Sequence, residues 1–327
     1  MPTHVPLSIL DLAPIAPGES AADAFRHIVD LAQAAESAGY ERVWYAEHHN
    51  IDRIASSATS VLIAHVAAHT STIRLGAGGV MLPNHSPLTI AEQYGTLAEL
   101  HPGRIDLGLG RAPGGDRAVF GALRRAPEAS DRFPQDVVEL QGYLGDESRV
   151  HGVEATPGKG TGVPLYILGS SLFGAQLAAA VGLPYAFASH FAPAALHEAV
   201  ATYRRDFTPS EQCPEPYVIA GANVFAATDA DAAQEQFLAA RRWRVRGLMK
   251  RGPATPEYSD AEIDAFLASE QGAQMADMMR YTAVGTGAEV SQWLNDFAAD
   301  AGADEVIVAH AALDAQDRLE SVRLAAP

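Results

Sequence analysis

The amino-acid sequence predicts an α/β fold, a (β/α)8 or TIM barrel with long insertions after strand 4 and after strand 7, and three observations carry that prediction. Short apolar, β-rich runs alternate with longer amphipathic or alanine-rich segments along almost the whole chain, the pattern of parallel strands joined by helical crossovers. Eight such runs can be counted, the number a barrel of this kind requires. No Gly-x-Gly-x-x-Gly follows the first run, which weakens the competing doubly wound Rossmann sheet.

The elements follow in order. VPLSIL (5–10) reads as the first strand, and 21–38 as a helix with Ile28, Leu31, Ala32, Ala35 and Ala38 on one face and Gly39 as its stop. ERVWYA (41–46) and IRLGAGG (73–79) are the second and third strands, followed by helices over 57–69 and 87–100. RIDLGLG (104–110) is the fourth strand. PLYIL (164–168) and YAFA (185–188) are the fifth and sixth, followed by helices over 172–182 and 193–206. PYVIAGANVFA (216–226) and DEVIVAH (304–310) complete the set. The intervals 111–163 and 244–286, rich in glycine and proline, exceed ordinary loop lengths and are expected to cover the functional face or to form tolerated surface. One domain over 1–327 accounts for the chain, since barrels of this size are common.

Composition narrows the function. With 48% hydrophobic and 19% charged residues the chain can bury a large core. Its 23 basic against 40 acidic residues give a net charge of −17, so nucleic acid and anionic membrane surfaces are disfavoured as partners. The start carries Asp11 and no cationic leader, and does not read as a signal peptide. A single cysteine, Cys213, excludes an internal disulfide and a cysteine metal cage, so a cytoplasmic location is expected.

In a barrel the C-terminal strand ends form the functional face, and here they are polar or bare. The second strand runs into Glu47-His48-His49-Asn50, the third into Gly78-Gly79, the fourth into Gly110-Arg111, the fifth into Gly169-Ser170-Ser171 and the sixth into Ser189-His190. Along GRIDLGLGRAPGGD, Asp106, Gly108 and Gly110 alternate with apolar residues, so one face is nearly bare and would let a flat ligand approach. Arg111 offers a rigid donor fork suited to phosphate or carboxylate, against the plainer reading of a surface salt bridge. Ser170-Ser171 lead straight into a helix whose first amides can bind an anion, although a serine there is more often only a cap. Together they outline one phosphate pocket.

Four segments, WYAEHHN, GAGGVMLPNHSPLTIAEQ, HPGRIDLGLGRAPGG and GSS with AQLAAAVGLPYAFASHF, resemble in the same order the bacterial luciferase-like flavin-dependent oxidoreductases. The likeness is closest to the short single-barrel subgroup of luciferase-like monooxygenases, and runs from about residue 5 to AVGTGAEVSQWLNDFAADAGADEVIVAH. It implies a monooxygenase that oxidises a small organic substrate with O2 through a C4a-(hydro)peroxyflavin. It also implies FMN as cofactor, used as FMNH2 from a separate NAD(P)H:flavin reductase, with F420 as the alternative. His48 matches the catalytic histidine, and Gly78-Gly79 a non-proline cis peptide beside the flavin ring. Arg111 matches the phosphate-binding arginine, and Gly169, Ser170 and Ser171 the turn around the same phosphate. Glu47 and Gly110 fall among the cofactor-binding positions, and His190 lines the substrate pocket. The resemblance further implies a homodimer through the small-residue helices two and three. Where Gly110 stands the family often has cysteine or another small residue, and 244–286 has no match to the luciferase lid.

Two other classes compete. Glu47, His48, His49, His85 and His190 could gather around zinc or iron, but adjacent histidines on a strand point to opposite sides, so no metal is expected. A non-catalytic flavin-binding barrel would share the pocket and turn nothing over.

Overall fold

The computed structural model describes residues 4–112, 114–115, 117–249 and 258–327; positions 113, 116 and 250–257, within the two long intervals, lie outside the described residues. Among the described residues nine parallel strands form: β1 Leu7–Asp11, β2 Arg42–Tyr45, β3 Arg74–Met81, β4 Ile105–Gly110, β5 Leu165–Gly169, β6 Tyr185–Phe187, β7 Val218–Ala227, β8 Thr282–Thr286 and β9 Glu305–His310. Strands β1 to β7 and β9 close a ring through β6–β7, β7–β9 and β9–β1 pairings, with helices between successive strands. These eight are the predicted strands, within one or two residues at each end.

β8 is an addition to the prediction. It pairs with Asn223–Ala227, the part of β7 that runs past β6 on the same edge, and so stands outside the ring. Its sequence TAVGT alternates buried with half-buried residues over only five positions, too weak a run to register as a strand. The interval after β4 holds helices Arg117–Ala122 and Phe133–Leu144, and the one after β7 holds helices Ala230–Met249, Asp260–Leu267 and Glu270–Asp277. The first of these last three was not among the expected helices, because only Ala233, Ala240 and Val245 are buried along twenty residues.

Strand alternation sorts the side chains. Ile9, Val43, Tyr45, Leu75, Leu107 and Leu165 point outward and pack under the helices in the main core. Leu10, Trp44, Ala46, Tyr166, Ala186, Ile219 and Ile307 form a separate small cluster inside the ring. Its N-terminal end is closed by a buried ionic network. Arg42 donates from Nε and Nη2 to both Glu305 oxygens at 3.0 Å, and from Nη1 to Asp106 at 2.9 Å and to the Tyr166 hydroxyl at 2.8 Å. Tyr217 donates to Glu305 at 2.8 Å, while Ser8 bonds the same carboxylate and Arg74 bonds Asp106. With that end plugged, the residues free for chemistry stand at the opposite mouth.

Helix ends are locally specified. Ser20 and Asp23 form a capping box at the start of Ala21–Ala38, and Gly39 ends it with φ +88°. Thr286 and Glu289 do the same for Gly287–Ala301. Among the described residues, no helix is long and apolar enough to cross a membrane.

Candidate functional site at the C-terminal mouth of the barrel

β2 ends at Tyr45, and the chain that follows divides its polar groups between two sides. Glu47 is buried, and its carboxylate accepts hydrogen bonds from His49 Nε2 at 2.9 Å, His85 Nε2 at 2.9 and 3.0 Å, the Met81 amide at 3.0 Å and Asn84 Nδ2 at 3.4 Å. Burial alone would raise this carboxyl, but the two imidazoles and the amide outweigh it and hold it down at about 2. The bond to Glu47 raises His49 in turn, against its partial burial. Glu47, grouped by sequence with the cofactor-binding residues, thus has its oxygens engaged by the protein's own donors and braces the ends of β2 and β3. His85, considered for a metal, is one of those donors. Among the described residues no group of three or more His, Cys, Asp or Glu is placed to hold a metal ion.

His48 takes no part in this cluster. Its amide donates to the Ser56 carbonyl at 3.0 Å, and burial lowers its pKa, opposed by the Gly114 backbone and the Glu47 charge. His49 donates its amide to Gly114 at 2.9 Å, so the segment leaving β4 at Arg111 folds back over the end of β2. A side chain at Gly114 would meet the Glu47 carbonyl at 2.9 Å, at a φ of +63°, so only glycine suits this close approach.

The peptide between Gly78 and Gly79 is cis, as the resemblance implied. Both glycines are buried, and the register between β3 and β4 shifts across them, between Ala77 and Val80. A Cβ at Gly78 would lie 2.8 Å from Leu10 and 2.9 Å from Trp44, one at Gly79 would lie 2.7 Å from the Gly108 carbonyl, and one at Gly110 would lie 2.9 Å from Met81 Sδ. No side chain fits at these positions, which Leu10, Trp44, Met81 and the Gly108 carbonyl approach closely, so only backbone is presented there.

At the next strand ends Arg111 is exposed, and its guanidinium lies 4.1 Å over the centre of the Phe173 ring. Phe173 belongs to the first turn of helix Leu172–Val181, whose N-cap, Ser171, makes no side-chain capping bond. The plain cap expected of Ser171 is absent, and the leading amides of the helix are left for another acceptor. Tyr185 fixes the turn by donating to the Ser171 carbonyl at 3.1 Å, and Gly169 ends β5 immediately before it. Arg111 forms no ion pair within the described residues, so the salt-bridge alternative is not what is seen.

Beyond β6, His190 packs against Gly221, where a Cβ would lie 2.4 Å from Nδ1, and that buried nitrogen has no hydrogen-bond partner among the described residues. Burial, then the charges of Arg244 and His48, push His190 down to about 3. Arg244 comes from helix Ala230–Met249 and is a site residue that sequence reasoning missed: it lies far from any strand end in the chain. Phe173 was missed as well. Tyr45, at the end of β2, packs outward in the main core.

A family model of luciferase-like monooxygenases matches residues 5–305. The chain belongs to the luciferase-like monooxygenase family. A luciferase-like monooxygenase of Escherichia coli K12 is 46% identical over 98% of this chain and 96% of its own length. The N-acetyl-S-alkylcysteine monooxygenase of Bacillus subtilis 168 is 43% identical over a shorter stretch, 56% of each chain. Among solved structures, apo-MsnO8 superimposes with a TM-score of 0.87 at 36% identity, covering 99% of this chain and 97% of its own. The oxygenating constituent of 3,6-diketocamphane monooxygenase of Pseudomonas putida, in complex with FMN, shares the fold with a TM-score of 0.72 at 16% identity, over 99% and 97% of the two chains. Family membership makes the barrel mouth, where His48, Arg111, Ser170, Ser171 and His190 are carried, the place to seek the chemistry of this family member.

Proposed function

We propose that this protein is an FMN-dependent monooxygenase that oxidises a small organic substrate with O2, using reduced flavin from a separate NAD(P)H:flavin reductase. The observation that carries the proposal is Arg111 stacked on Phe173 beside the uncapped start of helix Leu172–Val181. A guanidinium without an acid partner among the described residues and helix amides without a side-chain cap are the donor set that a phosphate monoester requires. FMN carries that group; F420, the alternative, carries a phosphodiester instead. In this reading Arg111, Ser170 and Ser171 hold the phosphate, while Gly78, Gly79, Gly110 and Gly169 supply backbone on the path of the ring toward β2.

When bound, reduced flavin supplies the electrons by which O2 is activated for oxygen transfer. His48, held neutral at pH 7 by burial, accepts or returns a proton at the reacting edge. Glu47 acts through its neighbours, fixing His49 and His85 so that the rim keeps its shape. His190 lines the substrate side and stays neutral. Dimerisation through helices Thr59–Ala67 and Pro87–Leu100 is part of the proposal, supported by the exposure of Val61 (65%) and Leu100 (64%). A cytoplasmic location fits the reductase requirement.

The test is titration of the purified protein with FMN and FMNH2, followed by oxygen-uptake assays with and without a flavin reductase across an organic substrate panel. Binding of at least one redox form and reductase-dependent turnover are expected. Failure to bind either form overturns the proposal, and binding without turnover of any substrate favours the non-catalytic flavin-binding alternative.

A further inference from the structure

Helix Ala230–Met249 carries a row of arginines, and their surroundings differ. Arg242 is paired with Asp264 and Asp260, and Arg246 with Asp260 and the Tyr258 carbonyl. Arg244 is half-buried and has no carboxylate partner among the described residues; the charged group beside it is a second cation, Arg53. Arg53 leaves the loop after β2, is tied to the end of β1 by its carbonyl, which accepts from the Ile15 amide at 2.9 Å, and lays its guanidinium 4.9 Å over the Trp243 ring. The same guanidinium fills the space at Gly247, where a Cβ would lie 1.4 Å from Nη1. Gly247 stands three residues beyond Arg244, hence on the same helix face, which brings the two guanidinium groups together.

This pair borders the catalytic mouth. His190 feels the charges of both Arg244 and His48, and neither histidine offers an anion to compensate the arginines. Asp52, the acid nearest Arg53, is exposed and adjacent in sequence. Two arginines of a chain with 40 acidic residues thus stand together beside the mouth, with the charge of Asp52 acting on Arg53. Like charges brought together away from water repel, and an incoming anion relieves that repulsion while gaining charge-assisted hydrogen bonds. The planar fork of arginine matches a carboxylate in two-point contact, and stacking on Trp243 leaves the edge donors of Arg53 available.

We propose, resting on the monooxygenase reading above, that Arg244 and Arg53 recognise a carboxylate on the organic substrate and set its orientation toward His48. The phosphate of the cofactor is assigned to Arg111 and the Ser170-Ser171 turn, so the two anions have separate sites.

The experiment compares hexanoate with its uncharged near-isostere hexanamide, by calorimetry on the full-length protein, with FMN titrated in parallel. The wild type is expected to bind hexanoate roughly tenfold or more tightly than hexanamide, the scale of one charge-assisted contact. Arg244→Gln and, separately, Arg53→Gln should erase that preference, Arg244→Lys should keep part of it, and FMN affinity should be the same in all four proteins. Circular dichroism checks that each variant is folded, and Arg53→Gln, in a loop, serves if Arg244→Gln is not. No preference in the wild type, or a preference that survives both glutamine variants, overturns the proposal. So does a loss of FMN affinity with the preference intact, which would place the guanidinium groups on the cofactor. If no flavin binds while the preference persists and is lost in the variants, the monooxygenase reading fails and the carboxylate site stands.

Discussion

The Nε2 of His85 reaches both oxygens of the Glu47 carboxylate, at 2.9 and 3.0 Å, and His49 Nε2 reaches one of them at 2.9 Å. One buried anion therefore fixes two rings on two strand ends. Glu47→Gln would turn an amide group toward donors that need acceptors, at a cost of about 1–3 kcal/mol in stability. It should also let His49 titrate nearer its ordinary value of 6.5, since the bond to Glu47 is the main cause of its raised pKa. Urea unfolding and an NMR titration of the His49 ring check both effects; an unmoved His49 would show that the pair does not govern the rim.

Arg111 and the turn at Ser170-Ser171 are assigned to a phosphate, which makes the phosphate itself the discriminating probe. Arg111→Gln is expected to weaken FMN binding roughly 10- to 100-fold, the scale of lost charge-assisted hydrogen bonds, and to leave riboflavin binding nearly unchanged. Fluorescence titrations of both flavins decide the matter. Equal losses for FMN and riboflavin would move Arg111 to the ring.

His48 is assigned to proton transfer, and its removal should therefore separate rate from affinity. His48→Ala is expected to lower turnover about a hundredfold or more while flavin affinity changes little. Because burial lowers the pKa of His48 below 6.5, the neutral imidazole persists on the acid side of that value, and the acid limb of the wild-type rate profile should have its midpoint below 6.5. An acid limb centred above 6.5 would exclude His48 as the group observed.

Acid stability should report on His310, which burial pushes down to about 3. Its ring is held neutral between Ser321 Oγ at 2.8 Å from Nδ1 and the Tyr40 hydroxyl at 3.4 Å from Nε2. Its folded pKa lies below the unfolded value of 6.5, so the unfolded chain binds the extra proton between about 6.5 and 3. The stabilising contribution is complete above 6.5 and is lost as pH falls through that window. Between pH 7 and 4.5, wild-type unfolding free energy should therefore fall about 2 kcal/mol more than that of His310→Asn. Parallel pH slopes for the two proteins would refute the assignment.

The eight barrel strands were legible in the sequence, because short, nearly continuous apolar, β-rich runs are a local signal that a parallel strand buried on both faces must carry. It also placed His48, Arg111, Ser170, Ser171 and His190 at strand ends, since chain order alone brings those ends to one mouth. Tertiary structure decided what each residue touches. Glu47 reads in sequence as a ligand-binding acid, and becomes a brace only when β3 carries His85 and the Met81 amide alongside it. The glycines of β3 read in sequence only as a bare stripe, and tertiary contacts show why no side chain stands there: Leu10, Trp44 and the Gly108 carbonyl lie within 3 Å of the Cβ that Gly78 or Gly79 would carry. β8 and Arg244 were invisible for the same reason. A short strand takes its identity from the partner it pairs with, and an arginine in a polar helix acquires its meaning from neighbours two hundred residues away in the chain, a distance over which sequence periodicity carries no information.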